Sequence, residues 1–315
     1  MSRNRLYRAA ERAVRDSLRL RPGERFLLVT DAAKLEIADA LAFWAKQAGA
    51  EVTTYLMIES LRPIVEPPRL LREMAGRATA IAYVLDARVE EKPFRGFLVK
   101  TGRTSSRILM MPGITREMMV RLVDIDYAEL KRFTEKVIRA IRNAGDVEVS
   151  NAAGTSLKFS VEGRRWVAGA GDLSRKGSHG NLPAGECYTA PVEDSFNGTV
   201  ALGLIDDKLG PGRLEFRKGK LVRWRGRGVE AILRLVGGDE TGKTIGEFGI
   251  GTNPGARVCP NMLEAEKAFG TAHFAIGDSY GLGKNSSPHH YDALVKKVTI
   301  KAGGKIILRE GRFEI

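Results

Sequence analysis

The chain has 315 residues, 43% of them hydrophobic, so it is long enough for two domains that each bury an apolar core. Its net charge is +13, but the densest basic run, 213–227, alternates with apolar residues as a solvated hairpin does. No recognition motif accompanies it, so we expect no nucleic-acid partner. With only two cysteines, a disulfide framework is excluded and a cytoplasmic location is favoured. Because the N-terminal residues contain no long apolar run, we expect neither a signal peptide nor a membrane partner.

The first half of the chain alternates helix and strand patterns. The N-terminal residues have the apolar spacing of a surface helix (Leu6, Ala10, Val14 and Leu18). The predicted strands are 26–31, 51–57, 79–85 and 107–111, and the predicted helices between them are 33–49 and 70–77. This βαβ alternation predicts an α/β Rossmann-like domain over 1–145, with a parallel sheet flanked by helices.

A charged helix over 127–143 precedes the predicted domain boundary. Beyond it, 147–160 has the pattern of a hairpin, and strand patterns with Gly-rich turns continue to the end of the chain. We therefore predict that residues 146–315 form an α+β domain, and that this domain binds metal and carries the catalytic site.

The histidines point to a metal site in this second half. His290 and Asp292 are separated by one residue, so on a strand both face the same side while Tyr291 faces the other. Imidazole and carboxylate groups suit Zn, Co, Mn or Fe. The alternative for this pair alone is an exposed polar turn.

Three more residues join this hypothesis. His273 is flanked by apolar residues, and Glu186 and Glu247 lie between apolar residues and glycines, where an unpaired carboxylate is costly to bury. With His290 and Asp292 they would supply five ligands, enough for a two-metal site. The alternative is a core histidine and separate acids at strand ends.

Three sequence blocks carry a resemblance to a known family. IGEFGIGTNPGA, EKAFGTAHFAIGDSYG and NSSPHHYD, in this order, resemble the thermophilic aminopeptidase (aminopeptidase T) family. The resemblance implies a homodimer acting on peptides or other small molecules, with two divalent ions (Zn, Co or Mn) as cofactors. It places the ligands on Glu186, Glu247, His273, His290 and Asp292 and the active-site tyrosine on Tyr280. Glu266 and His289 would then contact the ligands without binding the metal themselves.

The chain also departs from that family. It is shorter than the usual peptidases, and Gly185 precedes Glu186 where these often have two adjacent acids. Similar sequences include dioxygenases that use Fe(II) to open the ring of dihydroxypyridine. We therefore expect a metallo-aminopeptidase that releases N-terminal residues, with an Fe(II)-dependent dioxygenase as the alternative.

Overall fold

The computed structural model describes residues 2–86 and 88–315. Contacts divide the chain into a first unit, Met1–Ala128 with Gly171–Ala184, and a second unit, Glu129–Ala170 with Gly185–Ile315. The domain boundary expected at residue 145 stays a prediction. Within the described ranges, no helix combines the length and the apolar character needed to cross a bilayer.

The first unit contains a five-stranded parallel sheet in the order β2-β1-β3-β4-β8. Its strands, numbered in chain order, are β1 (Arg25–Asp31), β2 (Glu51–Met57), β3 (Ala80–Val84), β4 (Arg107–Met110) and β8 (His179–Asn181). Its helices are α1 (Ser2–Arg12), α2 (Leu35–Gln47), α3 (Arg69–Arg77), α4 (Lys92–Ser105) and α5 (Arg116–Met118). The first four strands match the predicted ones, and β8 comes from a later part of the chain.

Three elements of this unit are missing from the prediction: α4, β8 and α5, which has only three residues. Helix α4 contains Pro93 at its second residue, where the missing backbone N–H is tolerated, and Gly96 in its interior. Proline and glycine are usually signals of a turn or a helix end, so a helix is not predicted from this segment. Strand β8 has only three residues, too few for a period-two pattern to be recognised.

A buried ion cluster lies within the first unit. The Arg62 guanidinium donates to Asp31 at 2.7 Å and to both carboxylate oxygens of Glu91 at 2.9 and 2.6 Å. These three side chains are fully buried, and Glu91 also accepts from the backbone N–H of Ile64. Burial alone would raise the pKa of Glu91, but the hydrogen bonds from Arg62 and Ile64 lower it below its ordinary value.

The second unit contains a thirteen-stranded sheet. Its strands are β5 (Val147–Ser150), β6 (Ser156–Phe159), β7 (Val167–Gly169), β9 (Glu186–Thr189), β10 (Asn197–Ile205), β11 (Lys208–Arg217), β12 (Lys220–Arg225), β13 (Ile245–Gly251), β14 (Ala272–Gly277), β15 (His290–Val295), β16 (Thr299–Ala302), β17 (Lys305–Arg309) and β18 (Arg312–Phe313). Its helices are α6 (Tyr127–Ile141), which begins in the first unit, α7 (Arg227–Val236) and α8 (Met262–Ala265). The predicted hairpins are β5–β6 and β11–β12.

Strands β9, β13, β14 and β15 are neighbours in this sheet and pair antiparallel. Because side chains alternate along a strand, one face of this group packs into the core of the unit and the other is free to carry polar groups. Phe248 and Phe274 stack at 5.4 Å on the core face, together with Tyr291. A parallel sheet flanked by helices, followed by a largely antiparallel sheet, confirms the predicted fold class.

Candidate metal centre

The polar face of β9, β13, β14 and β15 carries all five predicted ligands. Glu247 on β13 and Asp292 on β15 are both paired with Ala275 of β14, so the two carboxylates lie on either side of a small residue. His273 on β14 is paired with Gly249 of β13. The predicted alternation along β15 is confirmed, since His290 and Asp292 lie on this face and Tyr291 is buried on the other.

The five side chains form a row in which carboxylates and imidazoles alternate. His273 Nε2 lies 3.5 Å from Glu186 Oε2 and 3.3 Å from Glu247 Oε1. His290 Nε2 lies 4.0 Å from Glu247 Oε2 and 3.5 Å from Asp292 Oδ2. Glu247 thus directs one oxygen toward each imidazole. In the part of the chain that the structure describes, Glu247, His290 and Asp292 form a group whose ligand atoms all lie within 4.8 Å of one another.

Small residues make room for these groups. A Cβ atom on Gly249 would lie only 1.9 Å from His273 Nε2, so the imidazole occupies the space that a side chain would fill. A Cβ on Gly169 of β7 would likewise lie 2.9 Å from Cγ of Glu186. The glycines in this part of the sheet are therefore required by the close approach of the polar side chains.

The carboxylates concentrate negative charge in a buried place. Burial alone would lower the pKa of His273, but Glu247, Glu186 and Asp292 raise it to about 9. His290 behaves alike, because Asp292 and Glu247 outweigh burial and raise its pKa to about 9. Burial raises the pKa of Glu247, and its hydrogen bond with His273 opposes this effect. The row therefore attracts positive charge, which a metal ion would provide.

The ring of His290 is held in one orientation. Its Nδ1 lies 2.8 Å from the carbonyl oxygen of Asp278 and donates to it, which leaves Nε2 as the atom that can bind a cation. Tyr280 lies against the same ring, with ring centroids 4.4 Å apart. Its backbone has a positive φ of 52°, a conformation that non-glycine residues rarely adopt, and 49% of the residue is exposed. Tyr280 is thus directed to the exposed side of the row.

Lys267 is a neighbour of this row that the sequence does not predict. Its ammonium lies 3.0 Å from Glu186 Oε1 and forms a second ion pair with Glu266. Burial and the charge of Glu186 raise the pKa of Glu266 to about 8, although Lys267 opposes this. Because lysines are rarely fully buried, the residue type alone argues against a place beside this row. The one sequence signal for it is the neighbouring acid, Glu266, in AEKAF.

The remaining two histidines are not among the five predicted ligands. His289 precedes β15 and its Nε2 lies 3.7 Å from Asp239, so its nearest acid is not one of the five predicted ligands. His179 lies on β8 in the first unit.

A sequence comparison identifies the family to which the chain belongs. A family model described as thermophilic metalloprotease (M29) matches residues 126–306, which include all five groups and Tyr280. The chain belongs to this family. The predicted family resemblance and the prediction of a metal-dependent peptidase are therefore confirmed, and M29 membership implies a divalent metal cofactor. Among curated protein sequences, none matches significantly.

Two solved structures share the fold of this M29 chain. Wild-type AmpT from Thermus thermophilus has a TM-score of 0.74 at 21% identity, and the match covers 99% of each chain. The 2,5-dihydroxypyridine dioxygenase from Pseudomonas putida KT2440 has a TM-score of 0.78 at 18% identity, covering 99% of this chain and 98% of that one. At these identities, the similarity shows a common fold only.

Proposed function

We propose that this M29 chain is an aminopeptidase that releases N-terminal residues from peptides with the help of two divalent ions, Zn, Co or Mn. The proposed ligands are Glu186, Glu247, His273, His290 and Asp292, and the proposed catalytic tyrosine is Tyr280. The observation that carries the proposal is the position of Glu247, which directs one carboxylate oxygen to each imidazole and so can serve two ions at once. The homodimer and the cytoplasmic location stay predictions.

The donor set fits such ions. Imidazole nitrogens and carboxylate oxygens are the usual ligands of zinc and its neighbours in hydrolases. Three carboxylates in one buried row are costly without compensating cations. The same carboxylates raise the pKa of both imidazoles, which shows that positive charge is favoured at this place. The absence of a side chain at Gly249 leaves the space that the imidazole of His273 occupies in the row.

When bound, the ions supply a water activated near neutral pH, polarise the scissile carbonyl and accept the free α-amine that distinguishes an N-terminal residue. The chain's own residues position the reactants. Asp278 fixes the ring of His290, so that its Nε2 faces the row. Tyr280, beside that ring, donates a hydrogen bond to the oxygen that gains negative charge as the carbonyl is attacked.

A second candidate is an Fe(II)-dependent dioxygenase that opens a dihydroxypyridine ring. One observation favours it: His273, His290 and Asp292 lie on adjacent strands and together offer two imidazoles and one carboxylate, the set that binds iron in many oxygenases. The two buried glutamates have no evident task in that reaction, whereas both serve as ligands in the peptidase.

One experiment separates the two candidates. Metal content per chain is measured together with hydrolysis of an aminoacyl-nitroanilide, with and without oxygen. We expect two ions per chain and hydrolysis that does not depend on oxygen. His290→Ala and Asp292→Ala should lose metal and turnover together, and Lys158→Met, at an exposed position on β6, is the control. One iron per chain, oxygen uptake and ring opening of dihydroxypyridine would instead establish the second candidate.

A further inference from the structure

The β11–β12 hairpin carries the densest run of basic residues in the chain. Leu214 and Phe216 of β11 are buried in the core of the second unit. Because side chains alternate along a strand, the neighbours of these two residues and their cross-strand partners lie on the opposite face. We call this the basic face; it carries one carboxylate, Glu215, and five cations, Arg213, Arg217, Lys220, Arg223 and Arg225.

Positive charges on the basic face lie next to one another. Arg213 is directly opposite Arg225, and Arg217 is directly opposite Lys220. Like charges at such positions destabilise a pair of strands. Glu215 is the single anion, and its oxygens lie 3.3 Å from Arg217 and 3.6 Å from the arginine opposite it. In the part of the chain that the structure describes, neither Arg213 nor Arg225 has an ion pair, so the face gains from further negative charge.

Strand β12 is open along its outer side. Within the described ranges its neighbour is β11, apart from one bridge between Lys220 and Thr244 at the start of the strand. The backbone of 221–225 therefore presents N–H and C=O groups with which another strand can pair. A second copy of β12 would bring its own cations against those already there. A segment that carries acidic residues would compensate them instead.

The spacing along β12 defines the segment that fits. Arg223 and Arg225 lie on the basic face, whereas Trp224 between them lies on the other face, where it is paired with Leu214 and 43% exposed. A strand added beside β12 would alternate between the same two faces. Acidic residues two positions apart would therefore meet the two arginines, and an apolar residue between them would contact Trp224.

Nucleic acid fits these features less well. It has no peptide backbone that could pair with β12. Because Trp224 lies on the face away from the arginines, a nucleic acid whose phosphates contact the basic face would leave this ring unused for base stacking.

We propose that the basic face and the outer edge of β12 form a docking surface for an extended segment of another polypeptide, with acidic residues at alternate positions. The segment adds a strand to β12, and its carboxylates bind Arg223 and Arg225. None of these residues is a proposed metal ligand, so the inference does not rest on the proposed peptidase.

The test measures the binding of a labelled peptide of nine residues to the full-length protein by fluorescence anisotropy. The peptide has aspartate at alternate positions with valine or threonine between them, and its N-terminus is acetylated so that an aminopeptidase cannot shorten it. Arg223→Gln combined with Arg225→Gln should weaken binding about tenfold, because two exposed ion pairs are lost. The matched control, Lys301→Gln combined with Lys305→Gln, removes the same charge from exposed positions on β16 and β17 and should change the Kd less than about twofold.

Two altered peptides test the added strand. A peptide of the same composition with its aspartates adjacent should bind at least about fivefold more weakly, because its charges no longer alternate between faces. N-methylation of alternate residues should weaken binding at least about fivefold in one of its two registers, because it removes the donors to β12.

Thermal unfolding and aminoacyl-nitroanilide hydrolysis should be unchanged in both double variants, since all four positions are exposed. The absence of binding by the alternating peptide, equal binding by the altered peptides, or equal effects of the two double variants would overturn the inference. Tighter binding of a single-stranded oligonucleotide of the same charge would assign the basic face to nucleic acid and overturn it as well.

Discussion

Replacing Gly249 with alanine tests whether the space beside His273 is needed for metal binding. The new Cβ would lie 1.9 Å from His273 Nε2, so the imidazole must retreat by about 1.5 Å to the 3.4 Å at which ordinary contact begins. Strand β13 is paired on both sides, by β9 and β14, so the backbone cannot absorb this displacement. The added methyl group should destabilise the chain by about 1–3 kcal/mol, as overpacking of a filled site does.

The larger effect concerns the chemistry. A ligand displaced by more than 1 Å no longer holds the reactants in place, and misplacement of that size costs about 100-fold in rate. We therefore expect Gly249→Ala to retain its fold, to lose the metal ion that His273 binds, and to hydrolyse aminoacyl-nitroanilides about 100-fold more slowly. Mass spectrometry of bound metal, thermal unfolding and steady-state kinetics measure these three quantities.

Gly203 provides a matched control on strand β10. A Cβ there meets nothing within 4 Å, and the residue does not have a positive φ. Gly203→Ala should change stability by less than about 1 kcal/mol and leave metal content and turnover unaltered. If Gly249→Ala matches this control in metal content and rate, the proposed position of His273 in the metal site is wrong.

Two further predictions concern the tyrosine and the buried ion cluster. Tyr280→Phe should keep both ions but lower kcat about 100- to 1,000-fold, because it removes a donor to the developing oxyanion; an unchanged kcat with full metal content would exclude this role. Glu91→Gln should lower the free energy of unfolding by about 3 kcal/mol at pH 7, because Arg62 loses a buried carboxylate. Since the folded-state pKa of Glu91 is depressed, the wild type loses this stabilisation as the pH falls below the carboxylate's ordinary range, and the two chains should converge in urea unfolding at acidic pH. A difference that does not depend on pH would contradict this reasoning.

The parts of the site that the sequence predicts are those that depend on local pattern. Alternation along one strand is enough to place His290 and Asp292 on the same face. The cost of burying a carboxylate is enough to single out Glu186 and Glu247. The five residues are brought together by strand pairing, which joins segments distant in sequence. For their assembly, the sequence offered the family resemblance rather than a physical derivation.

The parts that the sequence does not predict depend on cross-strand register and on exceptions to average behaviour. The need for a glycine at position 249 follows from its pairing with His273, which no local pattern contains. Lys267 is fully buried although lysines are usually exposed, so its residue type argues against a position in the site. The carbonyl of Asp278 acts through its backbone, and the identity of a residue does not reveal such a contact.

Strand β8 has a consequence for how the polypeptide folds during synthesis. It completes the parallel sheet by pairing with β4, yet residues 129–170 of the other unit separate the two in the sequence. A nascent chain that has emerged only to residue 145 still lacks β8, so one edge of β4 stays without its strand until His179–Asn181 has left the ribosome. By then only Glu129–Ala170 of the second unit has also been made, so the first unit can complete its sheet before Gly185–Ile315 is synthesised.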